Sequence, residues 1–264
     1  MTIEVHYEVA GPIDGEVVVL SGSAGSDVSA WQPQLRPLRM AGFRVVRYDH
    51  RGHGRSPIPT GPSSLADLGG DLIALLDKLA VPTAHIVGLS LGGMTAMWTA
   101  ANHPDRVRSL TLCCTLAQHD GIQAWEQRIK GIHAAGMDVV AAEAMQRWFT
   151  PAWRAANPEQ VRAFQHMVTA TPLDGYVSCC RAIQSIDIID SLPTISASTL
   201  VISAAQDTAT PPEAGRQIAA AIPNARFELV EDAAHLGNIE QADRFTDLIR
   251  SHLLEVERHS VFPT

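Results

Sequence analysis

The sequence predicts a single α/β domain built on a doubly wound, mostly parallel sheet. Short apolar runs rich in β-branched residues recur along the chain, and helical stretches separate most of them. The runs are EVVVLS (16–21), FRVVRYD (43–49), AHIVGLS (84–90), VRSLTLCC (107–114), STLVISA (198–204) and ARFELVE (225–231). Strands of a parallel sheet are buried on both faces and therefore read as continuous apolar runs. The alternation of strands and helices implies right-handed crossovers, with helices on both faces of the sheet.

The segments between the apolar runs carry helix signals. Residues 64–80 begin with Ser-x-x-Asp, which is typical of a capping box, and continue with apolar residues at helical spacing. Residues 116–185 contain amphipathic helical stretches but no convincing strand, and prolines mark the joints between them. We therefore expect a core of residues 1–115 and 186–264, with residues 116–185 forming a helical cap, or lid, over one edge of the sheet.

The composition narrows the classes of function. The chain of 264 residues is 46% hydrophobic and 18% charged, as in ordinary globular domains. Its formal net charge of −8, without a basic cluster, argues against nucleic acid or an anionic membrane surface as a partner. No apolar run reaches the roughly 18 residues of a membrane span, and the N-terminus lacks a signal-peptide pattern. We therefore expect a cytoplasmic protein.

Neither the cysteines nor the histidine-rich loop predicts a metal site. The four cysteines stand in two adjacent pairs, at positions 113–114 and 179–180, whereas zinc and redox motifs usually space them as C-x₂-C. We expect them to be buried apolar residues. In DHRGHGRS (49–56), His50 and His53 lie in a glycine-rich turn without a suitable set of carboxylates, so we interpret this segment as a structural loop.

The stretch HIVGLSLGGMT (85–95) places one serine among glycines where a predicted strand passes into a predicted helix. A serine on a very tight turn needs neighbours with little or no side chain, and Gly88 and Gly92 flank Ser90 at a distance of two residues. Such a turn presents the serine hydroxyl at the carboxyl end of the strand, where it can act as a nucleophile. An ordinary strand-to-helix loop is the alternative interpretation.

A nucleophilic serine needs an imidazole to take its proton and a carboxylate to orient the imidazole. Asp207 and His235 each follow one of the last two apolar runs, so both belong at the same edge of the sheet as Ser90. Taken alone, Asp207 could cap a helix and His235 could be a loop histidine. Glu231 and Asp232 compete for the role of the acid, but they lie beside the histidine on the same strand end, and Asp207 is preferred.

An acyl-transfer site also needs two N–H donors for the oxyanion of its tetrahedral intermediate. One donor should be the backbone N–H of Leu91, the residue after the serine. The other should come from SGSAGS (21–26), where Gly22 lets the backbone approach and the N–H of Ser23 is our choice. A flexible turn is the alternative, and a phosphate loop is disfavoured because no Gly-Lys-Ser/Thr follows.

The expected cap offers candidate substrate-binding residues. Trp125 and Arg128 are three residues apart and share a helix face, so an aromatic ring and a guanidinium could both face the cleft, with Trp148 as a further candidate. Alternatively, the tryptophans form the core of the cap and Arg128 is a solvated charge. Arg147 and Arg154 are reserve cations, although Arg147 adjoins Trp148 and the two should point to different sides of their helix.

Taken together, these residues resemble the α/β-hydrolase superfamily and, within it, the 3-oxoadipate enol-lactonases of the β-ketoadipate pathway. The serine turn and RYDHRGHGRS (47–56) are similar to the superfamily at large. The stretches AMQRWFTPAWRAANPEQV (144–161) and ATPLDGYVSCCRAI (170–183) are similar to the enol-lactonase cap. The chain departs from the pattern in LSGSAG (20–25), where Gly22 stands in place of an expected asparagine, which leaves the substrate open.

The resemblance implies the α/β-hydrolase fold: a mostly parallel eight-stranded doubly wound sheet with a helical lid inserted after the sixth strand. It further implies that Ser90 attacks a lactone carbonyl and that water activated by His235 hydrolyses the acyl-enzyme. The partner molecule would be a small lactone or ester, and no metal or organic cofactor would be needed. We further expect that the chain forms a homodimer. The alternatives are a carboxylesterase or lactonase for another acyl substrate, a haloperoxidase-like enzyme and a ligand-sensing protein.

Overall fold

The computed structural model describes residues 1–119 and 121–261. Its strands are β1 (Tyr7–Ala10), β2 (Val17–Ser21), β3 (Arg44–Tyr48), β4 (Ala84–Leu89), β5 (Val107–Cys113), β6 (Ser198–Ala204) and β7 (Arg226–Val230). They form one sheet in the order β1-β3-β2-β4-β5-β6-β7. Strand β1 is antiparallel to β3, and the other neighbouring strands of this sheet pair in parallel. The carboxyl ends of β2 to β7 therefore meet at one edge.

Helices connect the strands and fill the interval between β5 and β6. They are α1 (Gln32–Met40), α2 (Leu65–Lys78), α3 (Leu91–Asn102), α4 (Ile122–Ala135), α5 (Met137–Trp148), α6 (Pro151–Ala156), α7 (Pro158–Ala170), α8 (Leu173–Gln184), α9 (Pro212–Ala221), α10 (Gly237–Glu240) and α11 (Ala242–Val261). Helix α2 begins at the expected capping box, in which the side chains of Ser64 and Asp67 each accept the other residue's backbone N–H.

The sheet is covered on both faces. On β2, Val18 and Leu20 pack into the apolar cluster that contains residues of α1 and α11, whereas Val17 and Val19 pack into the cluster that contains residues of α2, α3 and α9. This alternation follows from the two-residue period of a strand. Burial of each such side chain contributes about 1.5–3 kcal/mol to the free energy of unfolding relative to exposure. The loops at the edge of the sheet are therefore attached to a stable core. The predicted doubly wound α/β fold is confirmed.

The number of strands differs from the expected eight. Seven strands form the sheet within the described residues, and the helices from α4 to α8 follow the fifth strand in the chain, not the sixth. Two N–H groups of the segment before β1 donate to side chains: Ile3 N donates to Asp71 Oδ1 at 2.8 Å, and His6 N donates to Ser56 Oγ at 2.8 Å. Neither of these two donors is therefore available for pairing with a further strand.

Helices α4 to α8 lie within the expected cap and share a core with the sheet. The apolar cluster that holds α1 and α11 continues into Val140, Trp148 and Phe164, which belong to α5 and α7. Phe149 stacks on Trp153 with ring centroids 4.3 Å apart. Asp120 of the expected cap and residues 262–264 of the expected core lie outside the described residues.

Two other expectations can be compared with the fold. All four cysteines are free and buried, as the sequence predicted. The sequence also predicts one final helix over residues 239–257, and the structure divides this stretch at Gln241 between α10 and α11. Within residues 1–119 and 121–261, no helix has both the length and the apolar character needed to cross a membrane.

Candidate active site

Ser90 lies on the tight turn between β4 and α3. Its backbone has φ 55° and ψ −114°, a strained conformation for a residue with a side chain. The two flanking glycines are required by close backbone approach: a Cβ on Gly88 would lie well under 3.0 Å from Gly92 O, and a Cβ on Gly92 would lie equally close to Ser21 O. The glycine pattern in the sequence is thus explained by the packing of β2, β4 and α3 around the serine.

His235 and Asp207 form a buried pair at the ends of β7 and β6. His235 Nδ1 lies 2.8 Å from Asp207 Oδ2. The N–H groups of Ala209 and Thr210 donate to Asp207 Oδ1 at 2.8 and 3.0 Å, and Thr210 Oγ1 donates to Oδ2 at 2.7 Å. Burial raises the pKa of Asp207, but His235 and these hydrogen bonds outweigh it and hold the pKa below its usual value. The carboxylate is therefore charged at neutral pH and fixes the orientation of the imidazole.

The two competing acids are placed differently. Glu231 and Asp232 are both exposed. Within the described part of the chain, the carboxylate that contacts the imidazole of His235 is that of Asp207. The structure therefore brings together the acid and the histidine that the order of the chain predicted.

The loop that carries His235 is bonded to the end of α5. His235 N donates to Arg147 O at 3.4 Å, and Leu236 N donates to Trp148 O at 3.0 Å. The histidine is thus supported from two directions, by Asp207 on its ring and by the cap on its backbone. This support from the cap could not be anticipated from the sequence.

A carboxylate strengthens the same junction. Glu240 accepts the N–H of Ala234 at 3.0 Å and the N–H of Thr150 at 3.2 Å. The hydroxyl of Thr150 also donates to Glu240. One half-buried carboxylate therefore joins the residue before His235 to the residue that caps the N-terminus of α6.

A cavity of about 400 Å³ opens at the carboxyl edge of the sheet, beneath α4, α5 and α8. Six of the predicted site residues line it: Ser23, Ser90, Trp125, Arg128, Trp148 and His235. Asp207 lies behind His235 and is buried. The wall also includes residues that no sequence pattern predicted to lie there, namely Ala24, Met94, Leu116, His119, Tyr176, Ile183, Ala209 and Thr210.

The two predicted oxyanion donors lie beside Ser90. The N–H of Gly92 donates to Gly22 O at 3.0 Å, which fastens the loop after β2 to the first turn of α3. Among the described residues, neither the N–H of Ser23 nor the N–H of Leu91 has an acceptor. Both are therefore free to bind an oxyanion. Gly22 does not line the cavity; it contributes to the loop through its carbonyl oxygen.

Two arginines face the cavity from the cap. The Arg128 guanidinium lies 5.5 Å from the centre of the Trp125 ring. Arg128 Nη1 and Arg147 Nη1 lie 3.7 and 3.4 Å from the same oxygen of Glu143. Burial, together with the charge of Arg128, lowers the pKa of Arg147. Two cations thus share one carboxylate, which leaves this wall of the cavity positive.

Arg128 retains unused donor capacity. Its Nε is buried and has no hydrogen-bond partner among the described residues. Arg147 and Trp148, which the sequence predicts to point to different sides of their helix, both line the cavity. They are the last two residues of α5, and a cavity at the end of a helix can be reached from more than one face. The third candidate cation, Arg154, instead donates to Phe149 O at 2.7 Å.

Comparison with known proteins places this chain in a family. Residues 16–242 match the family described as alpha/beta hydrolase fold. The chain is 35% identical over 249 residues to 3-oxoadipate enol-lactonase 2 of Acinetobacter baylyi, covering 94% of this chain and 92% of that protein. It is 31% identical over 265 residues to a protein of Variovorax paradoxus named for carbamate hydrolysis, RutD, covering 97% and 98% of the two chains.

A solved structure agrees with these matches. The enol-lactonase from Burkholderia xenovorans LB400 superimposes with a TM-score of 0.92 at 38% identity, covering 95% of this chain and 96% of that one. Both the fold and the sequence therefore align over nearly the full length, and the relatives support a hydrolase. The chain belongs to the α/β-hydrolase family.

Proposed function

We propose that this protein is a serine hydrolase that opens a small lactone through an acyl-enzyme, converting 3-oxoadipate enol-lactone into 3-oxoadipate in aromatic catabolism. One observation carries the proposal: Ser90 and the Asp207-bonded His235 line the same cavity as the cations Arg128 and Arg147. The relatives named as enol-lactonases support the choice of substrate.

The positions of these groups support a ring-opening reaction. With Asp207 accepting the Nδ1–H of His235, the Nε2 atom is free to take the proton of Ser90 Oγ. The serine oxygen attacks the lactone carbonyl, and the N–H groups of Ser23 and Leu91 receive the negative oxygen. Cleavage of the ring C–O bond then expels an enolate, and His235 gives it the proton taken from Ser90, which leaves the imidazole neutral again. The enolate is a good leaving group because it becomes a ketone when protonated.

The second half of the reaction regenerates the serine. His235 removes a proton from a water molecule, the water oxygen attacks the ester carbonyl, and Ser90 leaves with the returned proton. The product carries a new carboxylate at the former carbonyl carbon and a ketone at the former enol carbon. Each step uses side chains and backbone groups of this chain.

The two cations support an acidic lactone, over a neutral ester, as the proposed substrate. The chain has a formal net charge of −8, so an anion enters the cavity at a cost unless a local cation receives it. Arg128 can hold a carboxylate with two parallel N–H donors, and Trp125 beside it can cover the lactone ring. Arg147 adds a second positive charge on the same wall.

The decisive experiment measures turnover of 3-oxoadipate enol-lactone beside a saturated lactone, a p-nitrophenyl ester and a carbamate. We expect the enol-lactone to have the highest kcat/KM. Ser90→Ala should lose on the order of a million-fold in turnover, whereas Ser251→Ala, which changes an exposed serine of α11, should not. A Ser90→Ala variant that keeps more than about a hundredth of the wild-type rate contradicts the nucleophile assignment.

The same measurements separate the alternatives. A carbamate preference would point to the activity for which the Variovorax relative is named. A preference for neutral p-nitrophenyl esters would indicate a general carboxylesterase. A single slow turnover, together with a large ligand-induced rise in Tm, would indicate a sensor that keeps the fold for binding.

A further inference from the structure

We propose that His50 is a positioning residue for the oxyanion hole: it holds the peptide unit between Gly22 and Ser23 so that the Ser23 N–H faces the cavity. This inference rests on the proposed serine hydrolysis but not on the identity of the substrate. His50 itself lies outside the lining of the cavity and is 2% exposed. It can therefore act on the reaction only through other groups of the protein.

The contact between His50 and Gly22 fixes the proton on the imidazole. His50 Nε2 lies 3.1 Å from Gly22 O and 3.2 Å from Ser21 Oγ. A carbonyl oxygen can only accept, so Nε2 must carry the hydrogen. Burial, with a smaller effect of His53, lowers the pKa of His50 to about 3, so the ring is neutral near pH 7. His50 is thus a neutral donor with a fixed tautomer.

The peptide between Gly22 and Ser23 transmits this contact to the cavity. In a trans peptide the carbonyl and the N–H point in opposite directions, so the direction of Gly22 O fixes that of the Ser23 N–H. Gly22 O accepts two hydrogen bonds, from His50 Nε2 and from Gly92 N at 3.0 Å. Both lone pairs of the oxygen are thereby used, and the N–H on the other side is directed away from this buried network.

The peptide between Gly22 and Ser23 needs a conformational restraint because residue 22 is glycine. Without a Cβ, glycine leaves the adjoining peptide freer to rotate than any other residue would. The two hydrogen bonds on Gly22 O replace that missing restraint. The bond from Gly92 N also ties the Ser23 donor to the helix turn that carries the Leu91 donor, so both oxyanion donors keep one relative position.

The surroundings of His50 hold the imidazole in turn. Its ring meets the Tyr48 ring edge to face, with centroids 5.1 Å apart. The Tyr48 hydroxyl lies 2.8 Å from Ser21 Oγ, which is also in contact with His50 Nε2. Ser21 and Tyr48, at the ends of two strands, therefore orient the donor, and the DHRGHGRS loop supports the candidate oxyanion hole through His50.

The test compares His50→Gln with His50→Asn and His50→Phe. Glutamine can place an amide N–H near the position of Nε2, asparagine is too short to reach Gly22 O, and phenylalanine keeps the ring without a donor. Removal of a whole oxyanion donor costs about 100- to 1000-fold in kcat. Because the Ser23 N–H remains but is less well fixed, we expect a loss of about 10- to 100-fold in His50→Asn and His50→Phe.

Three readouts distinguish positioning from support of the loop. The loss should fall on kcat while KM stays within about two-fold, and His50→Gln should recover most of the rate. The infrared carbonyl stretch of the acyl-enzyme, formed from a slow p-nitrophenyl ester, should move to higher frequency in His50→Asn, because a weaker hydrogen bond polarises the carbonyl less. The Tm of each variant records its effect on folding separately.

The outcomes that overturn the inference are specific. A His50→Asn or His50→Phe variant with wild-type kcat would overturn it, as would equal losses in Asn and Gln variants with an unchanged carbonyl stretch. If His50→Phe fails to fold, the comparison of His50→Gln with His50→Asn still tests the inference. An ester hydrolysed as fast by Ser90→Ala as by wild type would overturn the serine mechanism as well, so failure of the proposed function is recognised separately.

Discussion

Replacing Arg128 with methionine removes a guanidinium from the cap wall of the cavity but keeps a side chain of similar length. The guanidinium lies 5.5 Å from the centre of the Trp125 ring, and the side chain is 28% exposed. Its Nε is buried without a partner in the described part of the chain. The variant therefore removes a cation that has capacity to bind an anion, and it leaves the aromatic wall in place.

The expected fall in kcat/KM is large because other residues of the protein neutralise the charge of Arg128 only weakly. Glu143 is 54% exposed, lies 3.7 Å from Arg128 and is shared with Arg147, so it is a weak counter-ion. Loss of one partner of a desolvated charge pair costs roughly 2–4 kcal/mol. This corresponds to a fall of about 30- to 900-fold in kcat/KM for the enol-lactone. Arg147 remains in the variant and limits the loss.

The assay compares kcat/KM for the enol-lactone and for a neutral p-nitrophenyl ester. Only the acidic substrate should lose rate in Arg128→Met. Arg162→Met is the matched control, because Arg162 lies on α7 with its side chain 69% exposed. Equal losses on both substrates would mean that Arg128 supports the cap fold. No loss on either would place the anion elsewhere and weaken the case for an acidic lactone.

Three further predictions test the rest of the site. Asp207→Asn should lower kcat about ten-thousand-fold by favouring the wrong tautomer of the histidine, and Asp232→Asn should not; equal losses would mean that the acid is misassigned. Gly92→Ala should lower the Tm and cost about 100-fold or more in rate, because its Cβ would lie under 3.0 Å from a backbone oxygen and displace the turn; wild-type activity would contradict this packing. Burial lowers the pKa of His50 to about 3 and that of His53 to about 4. As the pH falls below about 6.5, these two histidines are therefore protonated in the unfolded chain before they are protonated in the folded protein. The free energy of unfolding in urea should then fall by about 1.4 kcal/mol per pH unit per histidine down to pH 4; His53→Asn should lessen this slope, and equal slopes would refute the argument.

Local geometry explains which parts of the site the sequence could predict. Gly88 and Gly92 are required by backbone contacts around Ser90, so their spacing indicates the turn without knowledge of the fold. Asp207 and His235 were predicted because parallel strands end at one edge, which brings residues distant in the chain together. These signals depend on chain order and backbone sterics, and both are readable from one sequence.

Contacts between elements explain what the sequence could not predict. Tyr176 on α8 lines the cavity, but a tyrosine in an amphipathic helix has no local feature that separates a cavity wall from a core. The segment before β1 has the alternation of a strand, yet Asp71 and Ser56 accept two of its N–H groups. The orientation of Arg147 depends on where α5 ends relative to the cavity, which helical periodicity does not specify.

Glu240 connects the cap to the backbone beside His235. Changes made in the cap to alter the substrate range can therefore also change the rate of the reaction. A cap exchanged for one from a relative would bring a new residue to position 150. If that residue lacked a hydroxyl, Glu240 would lose one of its donors while still holding the N–H of Ala234. The hydrogen bonds that hold the backbone beside His235 would then be altered. Engineering of cap specificity should therefore retain Thr150 and Glu240 as a matched pair and vary the remainder of the cap.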